Sequence, residues 1–165
     1  MNYRIFVEKK EDFRVEAQNL FSDLKENIGL SGLSDVRVLN IYDIFNLGEN
    51  DLQKLEKTVF SEVNVDNVYK SLEESLAAYK NENLKKVYFS VEFLPGQYDQ
   101  RADSAIQCAN LLIDEDNDIN VKSGKLIILY GDISSEELNK IKKYYINDVE
   151  AREKNLNILS ENVES

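Results

Sequence analysis

Apolar positions along the chain alternate or recur at three- and four-residue spacing, and this divides it into short strands and amphipathic helices. Tyr3 to Glu8 sets Ile5 and Val7 on one side, the period of a half-buried strand. Val15, Leu20, Phe21, Leu24 and Ile28 then fall at helical spacing, and Gly29 stands where that helix should stop. Val36, Val38 and Ile41, with Leu39 and Tyr42, predict a second strand, followed by a loop closed at Gly48. The pattern next predicts a short helix over 51–57, a short strand over 58–60, and a helix over 66–79 capped by Asp66. Val68, Leu72, Leu76 and Tyr79 would share one face of that helix.

From Lys86 to Leu112 the pattern is strand, turn, helix. Val87, Tyr88, Phe89 and Val91 are β-branched or aromatic, and Pro95, the only proline, is followed at once by Gly96, so the strand must end there. Asp99 is placed to cap the next helix, because its carboxylate can accept from the free amides of the first turn. Ala102, Ala105, Ile106, Ala109, Leu112 and Ile113 define the buried face, and Gln100, Asp103, Gln107 and Asn110 the opposite one. Further on, 149–163 reads as the start of another helix, with Leu156, Leu159 and Val163 on a stripe; with nothing left to pack on, it is either a frayed tail or a lead into a further domain.

Shifting the sequence on itself reveals a repeat. Ile5-Phe6-Val7-Glu8 matches Phe89-Ser90-Val91-Glu92, Ile41-Tyr42-Asp43-Ile44 matches Leu129-Tyr130-Gly131-Asp132, and Asp51 to Leu55 matches Glu137 to Ile141, at offsets of 84, 88 and 86 residues. Val63 likewise finds Val149. The expectation is an α+β fold of two strand-helix-strand units, about 3–83 and 87–150. They would share one antiparallel sheet system with helices on one face and a core made from both.

Composition narrows the chemistry. The chain has 165 residues, 42% hydrophobic, and a formal net charge of −11, which repels phosphate backbones and anionic membranes. Neither nucleic acid nor a membrane is therefore an expected partner. Cys108 is the lone cysteine and reads as a small apolar filler in a reducing cytoplasm. The N-terminus lacks the layout of a signal peptide, and no apolar run approaches the roughly 20 residues of a membrane span. With no histidine and one cysteine, a Cys-His glutaminase centre and a zinc site are excluded.

A phosphate loop would need glycine where Ile119 stands, and the calcium-like run Asp114 to Asp118 has Ile119 and Lys125 where glycine and glutamate are required. No cofactor motif is present. Tyr130, Tyr144 and Tyr145 read as strand and core residues.

Pro95, Gly96, Gln97, Tyr98, Asp99, Gln100, Arg101, Asp103 and Gln107 form the candidate functional surface. A solvated helix face accounts for Gln and Asn at such positions. The density of planar hydrogen-bonding groups also suits a binding face.

The string Leu94-Pro-Gly-Gln-Tyr-Asp-Gln-Arg-Ala-Asp-Ser-Ala-Ile-Gln-Cys108 closely resembles a signature near the start of the large, single-chain phosphoribosylformylglycinamidine synthases. Arg4 to Lys10, Val36 to Asp43, Thr58 to Glu62, Val65 to Tyr69 and Tyr145 to Glu153 are similar to that family's N-terminal part in the same order. Two positions depart from it, Val63 and Asp148, where the family usually has proline.

The resemblance implies that residues 1–150 are a duplicated PurS-like domain and that 151–165 begin a linker. It also implies a scaffold role, in which the nine residues dock against synthetase and glutaminase domains of one enzyme. That enzyme amidates formylglycinamide ribonucleotide with glutamine and ATP, using magnesium. ATP, magnesium and glutamine would be held by other domains, so this chain would carry no catalytic, cofactor or metal residue. An isolated copy could self-associate. A free-standing small-molecule-binding or regulatory module of the same fold is the alternative.

Overall fold

In the computed structural model, which describes residues 1–81, 83–113 and 118–161, six strands form one antiparallel sheet. They are β1 (Tyr3–Lys9), β2 (Leu33–Phe45), β3 (Asp66–Tyr69), β4 (Lys86–Phe93), β5 (Asn120–Gly131) and β6 (Ala151–Glu153), in the order β3-β1-β2-β5-β4-β6. Helices α1 (Val15–Asp23, continued by a wider turn to Ile28), α2 (Glu49–Thr58), α4 (Gln100–Leu112) and α5 (Ser135–Tyr145) supply side chains to the two clusters on one sheet face. The short helix α3 (Leu72–Ala77) packs on the opposite face. The fold is α+β. No helix among the described residues is long and apolar enough to cross a membrane.

Strand periodicity explains the layering. On β2, Val36, Val38, Tyr42 and Ile44 face the four helices, while Leu39 and Ile41 face α3. On β5, Val121, Ile127 and Leu129 face the helices, and Leu126, Ile128 and Tyr130 face away. Gly29 ends the first helical segment in the left-handed conformation, φ 74°, as its position in the sequence predicts.

The strand order reads the same from either edge, β3-β1-β2 against β6-β4-β5. Ile5 lies opposite Tyr42 and Phe89 opposite Ile127; Val7 lies opposite Val68 and Val91 opposite Glu153. A shift of 84 residues on the first strand of each half thus goes with 85 on both others. The offset of 88 from the sequence match sets Ile41 against Leu129, which point to opposite faces of the sheet. In the helices, Ala17, Leu20 and Leu24 point inward from the first segment, and Ala102, Ala105 and Ala109 from α4.

Each core draws on both halves. One joins Ile5, Val7, Tyr42, Leu52 and Leu55 to the alanines of α4; the other joins Leu20 and Leu24 to Phe89, Ile127, Leu129 and Ile141. A continuous sheet then links the two clusters through the long β2–β5 pairing.

Several sequence expectations are corrected. Residues 58–60 form no strand, because the amides of Val59 and Phe60 both donate back to the Leu55 carbonyl and wrap the end of α2. The helix expected over 66–79 is a strand and a short helix. Asp66 caps nothing; its carboxylate accepts from the Glu62 amide and pairs with Lys9, and Asp66–Tyr69 adds to the β1 edge. The actual cap is Ser71, which accepts from the Glu74 amide, so Val68 and Leu72 end on opposite faces of the sheet.

The helix expected from 149 is also absent from the described part of that segment. Ala151–Glu153 adds to β4, and the carbonyls that a helix would use are taken by side chains: Arg4 donates to those of Leu156 and Ile158, Lys122 to those of Ser160 and Glu161. Tyr144 and Cys108 are exposed, and Leu112 is half-exposed at the end of α4. Residues 114–117 of the calcium-like run and Val163 lie outside the described residues.

Candidate functional site

The nine sequence-predicted residues surround the turn into α4. The Gln97 amide donates to the Leu94 carbonyl at 3.0 Å, with Pro95 and Gly96 between them and Gly96 at φ 88°, the arrangement of a type II turn. That turn points the chain back across the helical face of the sheet.

Asp99 is a residue of the fold. One carboxylate oxygen accepts from the Ala102 amide at 3.0 Å and the Ser123 hydroxyl at 2.6 Å, and the other from the Ser123 amide at 2.7 Å. It caps α4 and ties it to β5 at once. Asp103 accepts from the Tyr98 hydroxyl at 3.0 Å and the Gln107 amide at 2.9 Å, forming a small chain on the outer surface. Its carboxylate, by that hydrogen bond, raises the pKa of the Tyr98 hydroxyl.

Two clefts flank the turn. The smaller, of about 440 Å³, includes Pro95, Gly96, Gln97 and Asp99 in its lining, together with a set of charged residues. Most of those charges are engaged: Asp43, 3% exposed, lies between Arg4 at 2.6 Å and Lys154 at 2.8 Å, Glu92 binds Arg152 at 2.7 Å and Lys154 at 3.3 Å, and Lys122 donates to the Ser160 and Glu161 carbonyls. This network ties strands β1, β2, β4 and β6 and the segment after them into one body.

The larger cleft, of about 740 Å³, lies between α4, the end of α5 and the sheet. Tyr42, Val91, Phe93 and Lys125 come from the sheet, Gln100, Arg101, Ser104, Ala105 and Cys108 from α4, and Tyr145 from α5. Lys125 is ion-paired with Glu16 of α1. Burial, with a smaller contribution from the Glu16 carboxylate, pushes the Tyr145 hydroxyl up to about 12. Arg101 reaches the Tyr42 hydroxyl at 3.5 Å, the outer limit of a hydrogen bond.

The structure therefore divides the predicted set. Gln100, Arg101 and Tyr98 line the larger cleft, the Pro95–Gln97 turn the smaller, Asp99 borders the latter from its place in the fold, and Asp103 and Gln107 lie outside both. The sequence pattern missed Ser104, Phe93, Lys125 and Tyr145. Ser104 lies on α4 itself, whereas the sheet register, which sets Val91 beside Lys125, and the packing of α5 bring Phe93, Lys125 and Tyr145 to that helix.

On the other sheet face, Arg37, 4% exposed, binds Glu8 through two nitrogens at 2.8 and 2.7 Å and the Tyr130 hydroxyl at 3.0 Å. Burial alone would lower the Arg37 pKa, but the Glu8 carboxylate and, to a smaller extent, the Tyr130 hydroxyl together offset it and the net direction is upward. Burial, and then Glu8, push the Tyr69 hydroxyl up to about 12. Tyr79 stacks on Tyr130 with ring centres 3.7 Å apart and donates to Asp35 at 2.7 Å. These contacts join β1, β2, β3 and β5 to the segment after α3.

Among the described residues, no group of three His, Cys, Asp or Glu side chains could hold a metal ion. No known protein family, characterised protein or solved structure matches the chain.

Proposed function

We propose that the chain is a non-catalytic scaffold domain of a ligase resembling phosphoribosylformylglycinamidine synthase. In this reading it holds a glutaminase part against an ATP-using synthetase part so that ammonia passes between them. The resemblance of Leu94 to Cys108 suggests the family, and its implied ATP, magnesium and glutamine sites belong to those partners. A cytoplasmic location goes with this role.

One observation supports the reading most. Around the Pro95 turn the fold uses Asp99 and leaves Gln97, Tyr98 and Gln100 exposed at the rims of two clefts, where they serve neither core nor cap. Exposed planar amides of this kind form paired hydrogen bonds across an interface. The shared strand order and register of the two halves favour a duplicated PurS-like unit.

The test is to add the chain to separately produced synthetase and glutaminase parts and follow association by sedimentation. Association, with gain of glutamine-fed amidation, supports the scaffold. No association at tens of micromolar, on the order of a few kcal/mol short of a stable interface, contradicts it.

The alternative, a free-standing small-molecule-binding module, is favoured by a different observation, the open cleft beside α4.

A further inference from the structure

The larger cleft has a physical cause in the comparison of the two halves. Where the first helical segment turns Ala17, Leu20 and Leu24 inward, α4 turns Ala102, Ala105 and Ala109 inward, each 85 positions later. Leu20 fills its core with a branched side chain, whereas Ala105 stops at one carbon and lines the cleft. Missing leucine volume beside α4 is thus open space.

A polar counterpart is missing as well. Glu16 on α1 is ion-paired with Lys125 on β5, and the same 85-residue relation points to Arg101 on α4 and Asn40 on β2. Asn40 and Lys125 are opposite each other in the sheet. Yet no bond joins Arg101 to Asn40: Arg101 has its 3.5 Å contact to Tyr42, and the Asn40 side-chain oxygen is buried with no partner among the described residues. Among the described residues, this guanidinium has most of its donors unused, and it faces an open cleft in a chain of net charge −11.

We propose that this cleft binds a small organic acid. Its carboxylate sits on Arg101, within reach of the Gln100 amide and Ser104 hydroxyl on the same wall, and its apolar or aromatic body lies against Val91, Phe93 and Tyr145. Guanidinium forks match carboxylates in geometry and charge, and the volume is that of sites for small ligands. Other charges at the cleft do not compete, since Lys125 is held by Glu16, and Glu92 by Arg152 and Lys154. A carboxylate is favoured over a phosphate group because one free guanidinium and largely apolar walls offer too few donors for a dianion. The inference rests on the cleft alone and stands or falls separately from the scaffold reading.

The test is a titration of the isotopically labelled chain with phenylacetate, followed by amide chemical shifts, beside its neutral twin phenylacetamide and inorganic phosphate. Saturable shifts confined to Arg101, Ser104, Val91 and their neighbours are expected with phenylacetate. Phenylacetamide should bind at least about tenfold more weakly, as should phenylacetate to Arg101→Gln, an exposed position that leaves the fold intact. Ala105→Leu copies Leu20 into the cleft and should abolish binding. Three results overturn the proposal: no saturable shift up to roughly 10 mM phenylacetate, equal binding of phenylacetamide or by Arg101→Gln, or tighter binding of phosphate than of phenylacetate.

Discussion

The Asp99 carboxylate holds both the amide and the hydroxyl of Ser123, at 2.7 and 2.6 Å, while it caps α4. One side chain thereby fixes the start of the helix against the middle of the sheet and sets the spacing of the two clefts. Asp99→Ala removes the cap and leaves the Ser123 donors unpaired, a loss of roughly 2 kcal/mol or more. The thermal midpoint should fall by several degrees, and an unchanged midpoint would show that solvent replaces the carboxylate.

Arg37 and Glu8 form a buried bidentate pair on the α3 side of the sheet. Arg37→Met leaves Glu8 without its main partner, at a cost of about 3–5 kcal/mol. The double variant Arg37→Met with Glu8→Gln should recover much of that loss in urea unfolding. Equal destabilisation of single and double variants would mean that the pair contributes through packing alone.

Stability should fall at alkaline pH. Tyr69 and Tyr145 hold their protons more tightly in the fold, with hydroxyls pushed up to about 12, than in an unfolded chain, where tyrosine titrates near 10. Their contribution is complete below about pH 10 and is lost as pH rises from there through about 12. Tyr145→Phe should flatten the decline in unfolding free energy across this window; an identical slope would assign the decline to other groups.

Neither half should fold alone. Leu20 and Leu24 lie against Phe89 and Ile141, and the alanines of α4 lie against Leu52 and Leu55, so separation exposes two incomplete cores and the β2–β5 edge. Residues 1–83 produced alone should lack a cooperative melt by circular dichroism and gain one when residues 84–165 are added. A cooperative melt of either piece alone would refute the shared core.

Local chemistry was legible in the sequence where local forces decide the structure. Pro95-Gly96 gave the turn, Asp99 the cap, and the alanine spacing of α4 the buried face. Where distant partners decide, the pattern misled: Asp66 has the chemistry of a cap, but the open edge of β1 offers its segment a ladder of backbone bonds. Likewise the stripe of Leu156 and Leu159 has helical spacing, yet Arg4 and Lys122, far away in sequence, take the carbonyls. The cleft combines both cases. Gln100 and Arg101 were visible as an unusual helix face, while Lys125 and Tyr145 reach it only through the sheet register and the packing of α5.

The most direct test of the scaffold role is the ratio of glutamine-fed to ammonia-fed turnover in a complete ligase that carries Gln100→Ala and Gln107→Ala. Both side chains are exposed, alanine favours helix, and the Gln107–Asp103 bond is worth only about 0.2–0.5 kcal/mol, so the fold should tolerate both changes. The account predicts a lower glutamine-fed rate, an unchanged ammonia-fed rate and a nearly unchanged thermal midpoint of the isolated domain. An unchanged ratio, with a midpoint several degrees lower, would contradict it and make this face structural.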